Sequence, residues 1–194
     1  MGSIMKNDFF KVVVLPSSEP VTAEDVKEFS RIDTSAEDTL LESFIVAVRQ
    51  ATELYLGRSL MTQTLDYYFD YWPVNNIVEL PRPPLISVTS IVAINESGTE
   101  ETISSSNYYV VSEAIPGRVV LKAGLSGLVI TPRASAGYKV KLKAGYGYDA
   151  LNVPTAIKQG MMQWVAYIYE TRNFQPEPPP EALGFLSFFR VLKV

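Results

Sequence analysis

The 194-residue sequence contains no histidine and no cysteine. Those two absences exclude Ser-His-Asp and Cys-His nucleophile systems, thiolate or imidazole zinc sites, disulfides and histidine-based pH switches. A bound metal would have to be a hard cation on oxygen ligands, and no P-loop, EF-hand or zinc signature occurs. No catalytic residue, cofactor or metal site is expected. Long apolar runs are missing as well. Met161 to Tyr169 is flanked by Gln159 and Glu170 and falls well short of the ~20 residues of a membrane helix, so no membrane partner is expected. Phe9 to Leu15 is interrupted by Lys11 and lacks a small-residue cleavage site. It therefore reads as a poor secretory signal, and synthesis in the cytoplasm is the expectation.

Neither sign of charge dominates: 17 Lys and Arg stand against 21 Asp and Glu, a net charge of −4. The acidity is concentrated in residues 1–61, with 10 acids against 6 bases, whereas residues 62–147 carry 7 of each. This balance argues against a surface built to grip phosphates and leaves room for a local basic patch. With 47% hydrophobic and 20% charged residues, the chain reads as one ordinary domain or a domain carrying an insertion.

Thr22 followed by Ala23-Glu24-Asp25 reads as an N-cap with acids in the first turn of a short helix. A second helix opens at Ser35-Ala36-Glu37-Asp38. Its face is Leu41, Phe44, Ile45, Val48, Ala51 and Tyr55, and it ends at Gly57. From Thr62 the period becomes two: Leu65, Tyr67, Phe69 and Tyr71 alternate with polar residues or tyrosine. Strands are predicted at Ile86–Ile94, Tyr108–Val111, Arg118–Leu121 and Tyr138–Ala144, separated by turn signals such as Asn95-Glu96-Ser97-Gly98 and Pro116-Gly117. Asn152-Val153-Pro154 opens a third strong helix with Ile157, Met161, Trp164, Val165 and Ile168 on one face. The predicted class is α+β. A helical bundle comes from residues 21–61 and 152–174, with an antiparallel β module of residues 62–151 inserted between them. Residues 1–20 form an N-terminal extension, and residues 175–194 a Pro-rich spacer with an apolar tail.

Four groups of residues invite a chemical reading. Gly145-Tyr146-Gly147-Tyr148-Asp149-Ala150 matches G-x-G-x-x-G/A. However, the preceding strand carries Lys139, Lys141 and Lys143 on one face, and the next helix starts only near Pro154, so a dinucleotide site is disfavoured. Asp66 and Asp70 share a strand face at roughly 13 Å, beyond the ~5–9.5 Å of glycosidase carboxylate pairs. Glu100-Glu101 reads as a pair of loop charges. Lys139, Lys141 and Lys143 form a basic strip that could lie near DNA, or simply a solubilising outer face. In the tail, Gln175-Pro176-Glu177-Pro178-Pro179-Pro180 favours an extended spacer. Beyond it Phe185, Phe188, Phe189 and Leu192 stand at i, i+3, i+4 and i+7, with Leu186 among them. So short a helix needs something to bind, either a partner or the chain's own core.

Taken in order, a series of short stretches resembles the head-to-tail connector (adaptor) proteins of long-tailed bacteriophages and gene-transfer particles. They are Val21-Thr22 with Asp25, Val26 and Lys27; Arg31-Ile32-Asp33; Tyr55-Leu56-Gly57-Arg58; Thr62-Gln63-Thr64; and Glu79-Leu80-Pro81-Arg82-Pro83-Pro84-Leu85. Pro116-Gly117-Arg118, Ala144-Gly145-Tyr146-Gly147, Val153-Pro154 and Glu170 with Arg172 complete the series. The resemblance implies a structural virion protein at the head-tail interface, synthesised in the host bacterium. It would form a ring of typically twelve copies beneath the portal, extend the DNA channel and receive a head-completion, stopper or tail protein. DNA would pass without sequence-specific contact. The resemblance also suggests the tail residues Phe185, Leu186, Phe188, Phe189 and Leu192 as the portal contact.

Two other readings compete. One is a virion or surface β module that binds carbohydrate through Tyr67, Tyr71 and Trp72. The other is a carboxylate-only, Mg²⁺- or Mn²⁺-assisted hydrolase using Asp66 or Asp70.

Overall fold

The computed structural model describes residues 8–122 and 129–191. In chain order its elements are β1 (Phe9–Val14), α1 (Ala23–Ser30), α2 (Asp38–Leu56), β2 (Gln63–Phe69), β3 (Ile77–Glu79) and β4 (Leu85–Ile94). There follow β5 (Glu100–Thr102), β6 (Tyr108–Val111), β7 (Arg118–Leu121), β8 (Tyr138–Ala144), α3 (Thr155–Thr171) and α4 (Pro180–Leu186). The class is α+β, and the described chain divides into two units: residues 8–15 with 62–145, and residues 16–61 with 146–191.

In the first unit, period-two patterning becomes antiparallel sheet. Gln63, Leu65, Tyr67 and Phe69 of β2 are buried, as are Tyr138, Val140, Leu142 and Ala144 of β8, while the residues between them are half-buried. The two strands pair with Leu65 opposite Leu142 and Phe69 opposite Tyr138. The five-stranded sheet has the order β1-β2-β8-β4-β5, and a second sheet has the order β3-β7-β6. Apolar residues from both sheets, including Leu65, Phe69, Ile91 and Val140 with Val78 and Val119, form one core cluster.

Two segments depart from the sequence reading. Residues 9–14, placed there in an N-terminal extension, are strand β1 alongside β2. Glu100 and Glu101 are not loop charges: they lie in β5, opposite Ile94 and Ala93 of β4. Glu100 pairs with the Lys139 ammonium, and the Glu101 carboxylate accepts the Val129 and Ile130 N–H groups at 2.9–3.1 Å. A strand of three residues is too short to show a period of two, and its stability comes from these partners rather than from propensity.

The second unit is helical. Thr22 caps α1 as its side chain predicts: its hydroxyl accepts the Asp25 N–H at 3.1 Å, and the Asp25 carboxylate accepts the Thr22 N–H at 2.7 Å. Helix α2 begins at Asp38 rather than near Ser35, with Glu37 at the N-cap, and closes on Gly57 at φ 67°. The Glu37 carboxylate receives the Tyr169 hydroxyl and, at 3.1 Å, the Arg172 guanidinium from the end of α3. Those bonds hold it below the usual carboxylate range. Val26, Leu41, Ile45, Val48, Ile157, Trp164, Val165 and Ile168 form the common core, joined by Ala182 and Leu186 of α4. Burying one such aliphatic side chain contributes about 1.5–3 kcal/mol.

One charged cluster is buried in this unit. Arg49 of α2 donates to Glu19 at 2.6 Å and to Glu53, one turn on, at 3.3 Å. The other Glu53 oxygen accepts the Leu60 N–H at 2.9 Å. Burial pushes the Glu19 carboxyl above its ordinary value, outweighing the pull of Arg49.

Candidate functional site

The C-terminal segment is the feature for which sequence left two destinations open, and here it lies on the core of its own unit. Pro178 and Pro179 are buried, Pro180 occupies the first turn of α4, and Ala182 and Leu186 are fully enclosed. The close approach depends on Gly160 in the middle of α3. A Cβ there would lie 2.8 Å from Leu186 Cγ and Cδ2 and 3.2 Å from Phe185 Cβ. An isolated glycine inside a helical pattern was the available signal for this packing.

Helix α4 stops at Leu186, and Ser187–Phe189 tightens into a 3₁₀ turn. The tighter turn rotates the side chains, so the expected apolar stripe does not stay on one face. Leu186 points inward and Phe189 packs partly against the core, whereas Phe185 is 38% and Phe188 87% exposed. Leu192 lies outside the described residues.

Arg58, just past the end of α2, holds this segment in place. Its Nε donates to the Phe189 carbonyl at 2.6 Å, and its guanidinium also bonds to the Tyr146 hydroxyl. Burial pushes that phenol's pKa above its ordinary value, and Arg58 opposes the rise. The Val191 N–H donates to the Leu56 carbonyl at 2.8 Å, and the Arg190 guanidinium lies 4.9 Å from the Tyr55 ring centre. Arg58 was not singled out by composition or spacing, since a lone arginine after a helix end carries no periodic signal.

The lysine strip on β8 is present on one sheet face, but its charge is largely matched. Lys139 pairs with Glu100, and Lys141 lies 3.9 Å from the Asp66 carboxylate. Asp70 accepts the Ala136 N–H at 2.7 Å. No cluster of three or more metal-binding side chains occurs among the described residues, and none of their helices is long and apolar enough to cross a membrane.

The Gly145–Ala150 turn is structural. Gly145 donates to the Pro84 carbonyl at 2.9 Å, and Tyr146 to the Leu60 carbonyl at 3.0 Å. A Cβ on Gly147 would lie 2.3 Å from the Asn152 amide nitrogen. Asp149 caps the short turn that follows by accepting the Leu151 N–H at 2.8 Å.

The aromatics do not form an open platform. Tyr67 is buried and donates to the Asp8 carboxylate at 2.7 Å, and burial together with that acid pushes its phenol well above the ordinary range. Trp72 packs edge-on against Phe69 and Tyr138, at centroid distances of 5.4 and 5.7 Å. Of the three, Tyr71 is left open to solvent.

Comparison with known proteins places this geometry. Among solved structures, the chain is similar to a protein in the neck of an empty gene transfer agent particle computed with C6 symmetry. The TM-score is 0.76 at 19% identity, over 96% of this chain and 97% of that one. It is also similar to a chain of the native gene transfer agent virion (TM-score 0.76, 18% identity, 96% and 97% covered). A third is a chain of the native particle's neck computed with C12 symmetry (0.72, 17%, 96% and 97%). These likenesses concern the fold. No curated protein matches the sequence. The model of the phage gp6-like head-tail connector proteins matches residues 21–117, from the Thr22 cap through α2 and the β strands to Gly117, and on that match the chain belongs to the phage gp6-like head-tail connector family.

Proposed function

We propose that the protein is a structural connector, not an enzyme, in the neck of a phage-like particle. There it forms a ring below the portal, extends the DNA channel and receives the next head-completion or tail component. The observation that carries this reading is the near-complete mutual coverage with neck proteins of gene transfer agents, joined to membership of the connector family. The C12 symmetry of one of those necks supports a ring of twelve copies. A closed ring needs head-to-tail contacts between unlike surfaces. A chain with a helical unit of residues 16–61 with 146–191 and a β unit of residues 8–15 with 62–145 supplies unlike surfaces.

A DNA channel lined by such a protein works best without a phosphate-gripping surface. The matched charges of Lys139 with Glu100 and Lys141 with Asp66 suit DNA that slides past without binding. In the portal contact, Phe188 and Phe185 are the side chains able to enter a portal groove, because they are exposed while α4 stays docked. Leu186 is engaged inside the chain and contributes by holding α4 in position.

The test is binding of the purified chain to the portal protein encoded in the same genome, imaged by negative stain. The wild type is compared with a Phe185→Asp, Phe188→Asp variant. Truncation after Arg172 is a poor control, since it strips Ala182 and Leu186 from the core. A ring on the portal with wild type only establishes connector and anchor together. Rings with both keep the connector and remove the anchor, and no ring with either removes the connector role.

A further inference from the structure

Strand β1 is the outermost strand of the five-stranded sheet and pairs on one side, with β2. An outer strand presents a row of N–H and C=O groups, and stable proteins usually blunt such an edge with charge, proline, shortness or a covering segment. The opposite edge is blunted in this way. Strand β5 has three residues, two of them glutamates, and the Val129–Ile130 backbone is bonded to Glu101. Strand β1 is different. Its six residues, Phe-Phe-Lys-Val-Val-Val, carry one charge and no proline, and Phe9, Val13 and Val14 are 51%, 45% and 55% exposed. Its one protective irregularity is a register shift between Val12 and Val14. Among the described residues, β1 makes no backbone hydrogen bond outside its pairing with β2.

Charge decides what fits this edge. None of the ion pairs among the described residues involves Lys11, and its cross-strand neighbour Asp66 is paired with Lys141. In an antiparallel pair, opposed residues share a sheet face. A second copy of β1 would therefore set Lys11 against Lys11, against Phe9 or against the bulge, because residues 9–15 contain no acid. A foreign strand with Asp or Glu at that position satisfies the ammonium, and apolar neighbours cover Phe9, Phe10 and Val12.

We propose that β1 is a docking edge for an extended segment of a different protein. That segment joins as an added antiparallel strand, apolar apart from one acidic residue set opposite Lys11. The edge acts independently of ring formation and of the tail.

The experiment uses the full chain and a capped, fluorescently labelled peptide, Thr-Val-Glu-Val-Val-Thr, read by anisotropy and by amide hydrogen exchange. The expected result is saturable binding with slowed exchange confined to residues 9–14 of the protein. Lys in place of the peptide's Glu weakens binding about fivefold. Lys11→Glu in the protein, which also sets a second acid opposite Asp66 and lowers Tm slightly, reverses the preference while the chain stays folded by circular dichroism. Equal binding of both peptides, no reversal with Lys11→Glu, or no binding up to millimolar peptide overturns the proposal. So does protection of residues 9–14 that grows with protein concentration alone and accompanies a dimer in sedimentation, since the occupant is then a second copy.

Discussion

If the tail is part of the core, Leu186→Ala should weaken the whole helical unit, while Phe188→Ala two residues on should not. Leu186 is fully enclosed against the α3 backbone at Gly160. A helix backbone cannot collapse into the space left behind, so the loss should fall near the middle of the Leu→Ala range, about 3 kcal/mol. For a chain of this size that corresponds to a fall in Tm of about 6–12 °C. Phe188→Ala, at an 87% exposed position, should stay within about 0.5 kcal/mol. Urea unfolding followed by Trp164 fluorescence, in a Trp72→Phe background, reports on the helical unit, because Trp164 lies wholly within its core. A second pair of variants tests the geometry. Gly160→Ala alone must displace Leu186 from 2.8 Å contacts, at an overpacking cost of about 1–3 kcal/mol, against a helix-propensity gain of about 1 kcal/mol. In the Leu186→Ala background the 2.8 Å contacts are gone and Phe185 Cβ at 3.2 Å remains, so the same substitution should be more favourable there by about 1 kcal/mol or more. A Leu186→Ala cost below about 1 kcal/mol, or a Gly160→Ala effect of the same size in both backgrounds, would refute the reasoning.

Three further outcomes follow from the buried and capped groups. Arg49→Ala leaves Glu19 and Glu53 without their cation and should cost about 3–5 kcal/mol in urea unfolding at pH 7. Glu37, held below the ordinary carboxylate range by Tyr169 and Arg172, adds stability that is fully present above the unfolded-state value and lost as pH falls through the folded one. Glu37→Gln should therefore flatten the acid limb of the stability–pH curve below about pH 4.5 and leave its shape near pH 7 unchanged. Gly147→Ala forces a Cβ into the Asn152 side chain and should cost about 1–3 kcal/mol, a loss that Asn152→Gly partly restores. Equal losses with and without the second change would locate the strain in the backbone instead.

Much of the fold was legible in sequence because long periodic segments carry redundant signals. Helix α3 shows five apolar residues on one face, and β8 alternates with lysine for its whole length. Each carries more evidence than one misleading residue can offset. The short strands β3 and β5 were not legible. Three residues cannot display a period, and Glu100-Glu101 acquires its strand conformation from pairing with β4 and from side-chain bonds to Lys139 and to the Val129–Ile130 backbone. Strand β1 was visible as an apolar stretch, yet nothing local said that it would add to the outside of β2, since strand partners are chosen over long sequence distances.

The tail shows where periodicity misleads for a physical reason. The stripe Phe185, Phe188, Phe189 and Leu192 assumes continuous α-helix, with 100° between residues. The chain instead has Ala182, Leu186 and Phe189 at i, i+4 and i+7, which seat against α3 because Gly160 leaves room for Leu186. Once Leu186 is seated, Ser187–Phe189 tightens into a 3₁₀ turn and the Arg58 bond closes on the Phe189 carbonyl. That geometry turns Phe188 outward. One glycine in α3 and one arginine after α2 thus decide which aromatics serve the core and which are left for a partner. The local pattern therefore signalled that the segment must bind something, while its assignment of faces depended on residues 25 and more positions away.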